Sequence, residues 1–323
     1  MDSTGDGEEQ TGVGPPTGDV FHAGEKAVQE RAGVRDTAAR LGPRMVQSAI
    51  PPEFAYFLTQ TNFVYLAVVA DDGRVWVSVL SGRAGFAHAE TPVQIDIGVE
   101  LDADDPVATA LNDDARPAGM LVLDPMSRSR IRLNGLARPT SSGLTLELAE
   151  CFGNCPKYIQ RRHPVAVAPP PAGGAAAVVT DALDRFGRAM VAAADTFVIG
   201  SRHPQRGADA SHRGGRPGFV VPAPDGRSLT FPDYQGNMMF QTLGNLTIDP
   251  TVGLLFIDWD TGRTLQIAGR ATIDWDSERI AEWEGAQRLI DVGIDAVVHR
   301  PAGLPILWEL VEAHRLNPPV PGA

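Results

Sequence analysis

The chain has 323 residues, 43% of them apolar and 21% charged, with a formal net charge of −12. Those figures describe a chain able to bury a large core and exclude nucleic acid as a natural partner, because a polyanion would be repelled over most of the surface. No apolar run approaches the ~20 residues of a membrane span, and the first twenty residues are acidic and Gly-rich, so neither anchor nor signal peptide is expected and the cytoplasm is the expected location.

Residues 1–19 offer almost nothing to bury and are expected to be disordered. Residues 20–50 interleave charged side chains with Ala27, Val28, Ala32, Ala38, Ala39 and Leu41. That pattern predicts a polar helical extension lying on the body of the protein. Residues 51–163 form a first β-rich half. A helix starts at Pro51-Pro52, then a hairpin (63–70 and 74–80) turns at Asp71-Asp72-Gly73, and strands follow at 93–99, 118–123, 131–137 and 144–149. Residues 164–177, PVAVAPPPAGGAAA, read as a linker without periodicity.

Residues 178–323 repeat the order: a helix over 181–194, then strands at 196–200, 219–221 and 228–231. The segment 231–270 follows, with a strand ending at Pro232-Asp233, a helix starting near Gly236-Asn237 and stopping at Asp249-Pro250, and a hairpin beyond. Ile280, Trp283, Leu289 and Ile290 recur at helical spacing in a segment expected to end in a strand before Pro301, and a further strand over 305–311 is expected to close the second sheet. Gly119, Leu121, Asp124, Gly135 and Ala137 find identical residues 134 positions later at Gly253, Leu255, Asp258, Gly269 and Ala271, and the same offset lays Phe63-Val64 on Phe197-Val198. We read this as internal duplication. Short strands, hairpins and one helix before a hairpin in each half point to antiparallel barrels, a mainly β (α+β) class.

Chemistry-bearing residues cluster in the second half. A helix start near Asn237 exposes unpaired amides at the positive end of the helix dipole, a ready anion site. Just upstream, the Gly-rich stretch ADASHRGGRPGFVV carries Ser211, His212, Arg213 and Arg216, and arginine pairs suit phosphate oxygens. The seven histidines show no metal-ligand spacing, and no Gly-x-Ser-x-Gly hydrolase motif occurs. Cys151 and Cys155, the only cysteines, are too few for a disulfide framework or a structural zinc site. A dithiol role and two ordinary reduced thiols both remain open.

The order ADASHRGG-RPGFV, FPDYQGNMMFQTLGNL and DPTVGLLFIDWDTGRTLQIAGRATI resembles the flavin-binding core of the pyridoxamine 5′-phosphate oxidase-like, FMN-binding split-barrel family, in its flavin-nucleotide-binding group. The match is clearest over residues 195–273. The segment CFGNCPKYIQRR is similar to the Cys-Pro-Lys segment that ends the barrel in single-domain members. The resemblance implies tandem split β-barrels with flanking helices and a flavin (FMN)-dependent oxidoreductase acting on a small-molecule substrate, with a redox partner in some readings. Relatives are homodimers with flavins at the interface, so the resemblance implies a pseudo-dimer within one chain, able to dimerise further. Cofactor contacts are implied for Ser211, His212, Arg213, Arg216, Asn237, Met238 and Asn245, and for Pro232, Asp233, Tyr234 and Thr264 around the isoalloxazine ring. Lys157 and Arg161 would reach in from the first half. Met238 and Met239 stand where relatives carry basic residues, which keeps two alternatives open on the same fold: the deazaflavin F420, or a haem-binding protein with His212 as axial ligand.

Overall fold

The computed structural model describes residues 19–111, 114–167 and 176–321. The predicted disordered tail thus lies almost wholly outside the described residues, as does the middle of the predicted linker. The chain opens with α1 (Ala23–Arg31), α2 (Arg35–Met45) and α3 (Pro52–Thr59). A capping box on His22 and Glu25 starts α1, and Pro52, harmless at a first helical position, starts α3.

The first sheet comprises β1 (Phe63–Val69), β2 (Val75–Ser81), β3 (Ala87–Thr91), β4 (Gln94–Gly98), β5 (Arg116–Asp124), β6 (Ser129–Thr140) and β7 (Gly143–Gly153), with α4 (Pro106–Leu111) between β4 and β5. After β8 (Arg161–Val167), β9 (Val178–Thr180) and α5 (Arg185–Ala193), the second sheet comprises β10 (Thr196–His203), β11 (Gly207–Gly214), β12 (Val221–Pro222), β13 (Ser228–Tyr234), β14 (Thr251–Ile257), β15 (Thr264–Asp274) and β16 (Ala286–Arg300), with α6 (Gln241–Ile248) before β14. The chain ends in β17 (Ile306–Glu312). The first sheet runs β2-β1-β5-β6-β7-β4-β3 and the second β11-β10-β14-β15-β16-β13-β12. Element for element this is one order used twice, with every pairing antiparallel, and it gives two split β-barrels.

Local details repeat as well. Leu121 pairs with Arg132 and Leu255 with Gln266, so the central hairpins share one register. Each long strand carries a bulge at the same point, Asn134/Gly135 and Ala268/Gly269. A Cβ on Gly135 would lie 1.8 Å from the Glu147 carbonyl oxygen and one on Gly269 2.1 Å from that of Gly293. Only glycine lets the strands approach so closely, which explains that identical pair. Gly119 and Gly253 serve the seam: their missing Cβ atoms would strike the backbones of β11 and β2 respectively.

One expected overlay is corrected. Tyr65 pairs with Leu121 and Val198 with Leu255, so β1 and β10 correspond at 133 residues, not 134. Val64 and Leu66 fill the first core as Phe197 and Ile199 fill the second, while Tyr65 and Val198 face the seam. A slip of one residue exchanges the two faces of a strand, so Phe63-Val64 does not match Phe197-Val198.

Further corrections follow from non-local pairing. The Gly-rich stretch 208–221 is not punctuation throughout, since its first half, through Gly214, lies in the edge strand β11. The helix expected at Gly236-Asn237 starts at Gln241, because Met238 and Phe240 adopt left-handed φ of 66° and 63°. Asn237 Oδ1 instead accepts from the Met239 N–H in a tight turn. The helical spacing after Ser277 yields only the short helical stretch Glu278–Glu282, while the strand expected before Pro301 is present and longer than expected, as β16. Finally, β17 does not close the second sheet. It pairs with β8, and the pairs Ile306–Val167 and Glu312–Arg161 sit at opposite ends of a two-stranded ribbon. A third apolar cluster joins the barrels, with Phe63, Tyr65 and Leu121 from one, Val198 and Leu255 from the other, and Trp308 from the ribbon.

Candidate functional site

A cavity lies on this seam. Its walls come from both barrels: Arg130 and Arg132 of β6, Cys155, Lys157 and Tyr158 of the turn after β7, His212 to Gly214 of β11, Pro232 to Tyr234 of β13, and the loop and first turn leading into α6. Strand alternation explains the first wall, because Ile131 and Leu133 point into the first core and leave Arg130 and Arg132 for the seam.

The wall is strongly cationic. Arg132 is buried and paired with Asp209 at 3.0 Å, and it also donates to the Ser211 hydroxyl at 2.5 Å. Arg213 finds only Ser211 Oγ at 2.7 Å and the His212 carbonyl. Arg130 donates to His212 Nδ1 at 2.9 Å, and Lys157 to Gln235 at 3.3 Å. Among the described residues, none of Arg130, Arg213 and Lys157 has a carboxylate within ion-pair distance. Burial, aggravated by Arg132 and Arg213, pushes the Arg130 pKa down to about 9. Burial also lowers that of Arg213, against the pull of Asp233. His212 is held well below its ordinary value by burial and then by Arg130 and Arg213, so its ring is neutral. Because arginine can only donate, Nδ1 is the acceptor and the ring proton sits on Nε2. Asp233 is raised by burial against the opposing pull of Arg213 and Arg288. An anion entering here would meet fixed, desolvated donors whose charge it would relieve.

Of the residues named from sequence, the cavity gathers His212, Arg213, Pro232, Asp233, Tyr234, Asn237, Met238 and Lys157. Ser211 lies behind it as a fully buried acceptor for two arginines. Arg216 turns away toward the Asn317 carbonyl, and Arg161 is exposed on the ribbon opposite Glu312. Asn245 bonds Ser201 and His22 in a chamber behind α6. Thr264 lies in a different cleft, beside α5. Its counterpart 134 residues earlier is Arg130, so the sequence selects the right strand in the wrong barrel. Met239 is buried against Phe21 and Ala38. Sequence reasoning missed Arg130 and Arg132, although the repeat offset pointed to them. It also missed His88, Glu90 and Asp96, whose ligand atoms the β3–β4 hairpin brings within 4.8 Å of one another. Cys151 is buried and Cys155 partly exposed, and both are free thiols.

Residues 183–302 match the family described as pyridoxamine 5′-phosphate oxidase. This part of the chain, which holds β10 to β16, is thus similar to the pyridoxamine 5′-phosphate oxidase family. Similar solved structures include a pyridoxamine 5′-phosphate oxidase, described as putative, from Lactobacillus delbrueckii (12% identity, TM-score 0.31, 36% of this chain and 94% of that one). Others are the FAD binding protein from Mycobacterium smegmatis (14%, 0.28, 38% and 97%) and an FAD-binding protein from Mesorhizobium loti (9%, 0.26, 38% and 98%). A comparison with curated proteins found no match. Among the described residues, no helix is long and apolar enough to cross a membrane.

Proposed function

We propose that the chain is a flavin-dependent oxidoreductase holding one FMN in the seam cavity and acting on a small molecule. The observation that carries this reading is the group Arg130, Arg213 and Lys157, drawn from both barrels and lacking carboxylate partners beside the first turn of α6. A flavin phosphate would complete it, with Arg130 and Arg213 as fork donors, Lys157 as a point charge and His212 Nε2–H as a neutral donor. Arg130 would supply the charge that Met238 and Met239 lack. Tyr158 and Tyr234, their rings 5.4 Å apart, offer an aromatic wall for a flat ring system. When bound, FMN supplies hydride or single-electron transfer. The protein's part is to bind, orient and exclude water.

The common strand order, shared bulges and shared hairpin register support descent of the two barrels by duplication, and a pseudo-dimer in one chain. The haem reading gains nothing from His212, because a ring with Arg130 on Nδ1 offers iron a proton and not a lone pair.

The test is the absorption spectrum of the purified protein, followed by titration of the apoprotein with FMN, FAD and F420. One equivalent of FMN, bound tighter than the others, is expected. Colourless protein that binds no flavin would refute the reading, and preference for F420 would reassign the cofactor.

A further inference from the structure

A second pocket adjoins the seam cavity and shares with it Gly236, Met238 and Phe240. Its other walls include Arg31 from the end of α1, Trp275 and Asp276 beyond β15, and Gln287 and Arg288 of β16. Arg288 is only 2% exposed. Its guanidinium carbon lies 5.1 Å from the centre of the Phe240 ring and 4.5 Å from that of Trp275, which Arg31 approaches at the same 4.5 Å. The rings hold the guanidinium in place but supply no hydrogen-bond acceptor. One terminal nitrogen donates to Gln287 at 2.8 Å, while Nη1 and Nε have no hydrogen-bond partner.

Counter-charge is short as well. The Asp233 carboxylate is 3.6 Å from Arg288 Nε and also lies in the field of Arg213, and Asp276 is taken by Arg31. A buried guanidinium with open donors is costly unless an anion completes it.

We propose that this side pocket binds an oxyanion, the carboxylate or phosphate of a small molecule, on Arg288, and so anchors the substrate of the seam cavity. The anion site stands on its own geometry; the word substrate rests on the flavin reading. The rest of the anchored molecule would lie along the Gly236–Phe240 loop, the only wall the two spaces share. Met238 and Phe240 sit there in left-handed conformations, as backbone shaped by a site often does. Burial lowers the Arg288 pKa against the pull of Asp233, with Arg31 adding to the lowering, so an entering anion relieves the same stress as in the main cavity.

The experiment is calorimetric titration of the apoprotein with inorganic phosphate. Two classes of site are expected. Arg130→Met should remove one and Arg288→Met the other, while Arg288→Lys, which keeps charge but loses the fork, should weaken that class about tenfold. In FMN-loaded protein, benzoate should shift the visible absorption of wild type but not of Arg288→Met. A single class of phosphate site untouched by Arg288→Met or Arg288→Lys overturns the proposal. Arg288-dependent phosphate binding in a protein that takes no flavin leaves the anion site standing and sinks the flavin reading instead. If Arg288→Met does not fold, the Arg288→Lys titration decides.

Discussion

The seam offers two equivalent positions, and they have been finished differently. On one side β6 meets β11 and α6; on the other β15 meets β2 and α4. Both use the same frame: Arg132 donates to Ser211 at 2.5 Å and Gln266, its counterpart, donates to Ser78, the counterpart of Ser211, at 2.6 Å. Both place a buried carboxylate beside that contact, Asp209 for Arg132 and Asp105 for Gln266. The difference lies in the side chains facing the space. Arg130, His212 and Arg213 on the first side correspond to Thr264, Val79 and Leu80 on the second. The space itself differs too. On the second side the turn after β16 closes down until a Cβ on Gly303 would sit 2.1 Å from Thr264 Oγ1, while Arg300 pairs with both Asp105 and Asp102. The frame fixes where a ligand can sit; a few side chains and one turn decide whether it can.

That comparison can be broken in order of size. Alanine at Gly135 or Gly269 would put a Cβ against a backbone oxygen at the shared bulge, and each change should cost more than ~4 kcal/mol in denaturant unfolding. A large loss in one barrel and a small one in the other would show that the bulges are not equivalent. Arg132→Met strands the Asp209 carboxylate and should cost about 3–5 kcal/mol, whereas Gln266→Met removes a neutral donor and should cost about 1–3 kcal/mol. Arg130→Met should weaken FMN binding about 10- to 100-fold by fluorescence titration, from the ~1.5–3 kcal/mol of a charged hydrogen bond. Thr264→Val on the other side should leave FMN affinity unchanged.

The smallest effect concerns the arm behind the site. Burial raises the Glu25 pKa to about 8. A carboxyl group whose folded pKa exceeds its unfolded value contributes stability that is complete below about pH 4.5 and is lost as pH rises through about 8. Wild type should therefore lose Tm between pH 6 and pH 9 by a few degrees more than Glu25→Gln, read by thermal melts. Equal slopes would mean that Glu25 is not buried in this way.

Much of the fold could be read in the chain. Alternating apolar residues gave most strands, Asp71-Asp72-Gly73 gave the first hairpin, and the Gly135/Gly269 pair marked a constraint that any repeat of this sheet must obey. β11 was hidden because Gly207, Gly214 and Gly215 mimic loop punctuation, and its strand character comes from pairing with β10. The start of α6 was misplaced because Met238 and Phe240 give no sign of the left-handed φ they adopt. In the site, Arg213 and Lys157 could be named because local motifs carry them, but Arg216 and Thr264 could not be rejected from the same information.

By itself the sequence determined the class of fold and its doubling, because these follow from periodicity, glycine placement and local motifs. Only the tertiary structure decided that Arg130 in one barrel faces His212 in the other, and that Thr264, 134 residues later, opens instead to a different cleft beside α5. Those outcomes depend on which strand faces meet across the seam, and a strand's faces are set by pairing with distant segments of the chain.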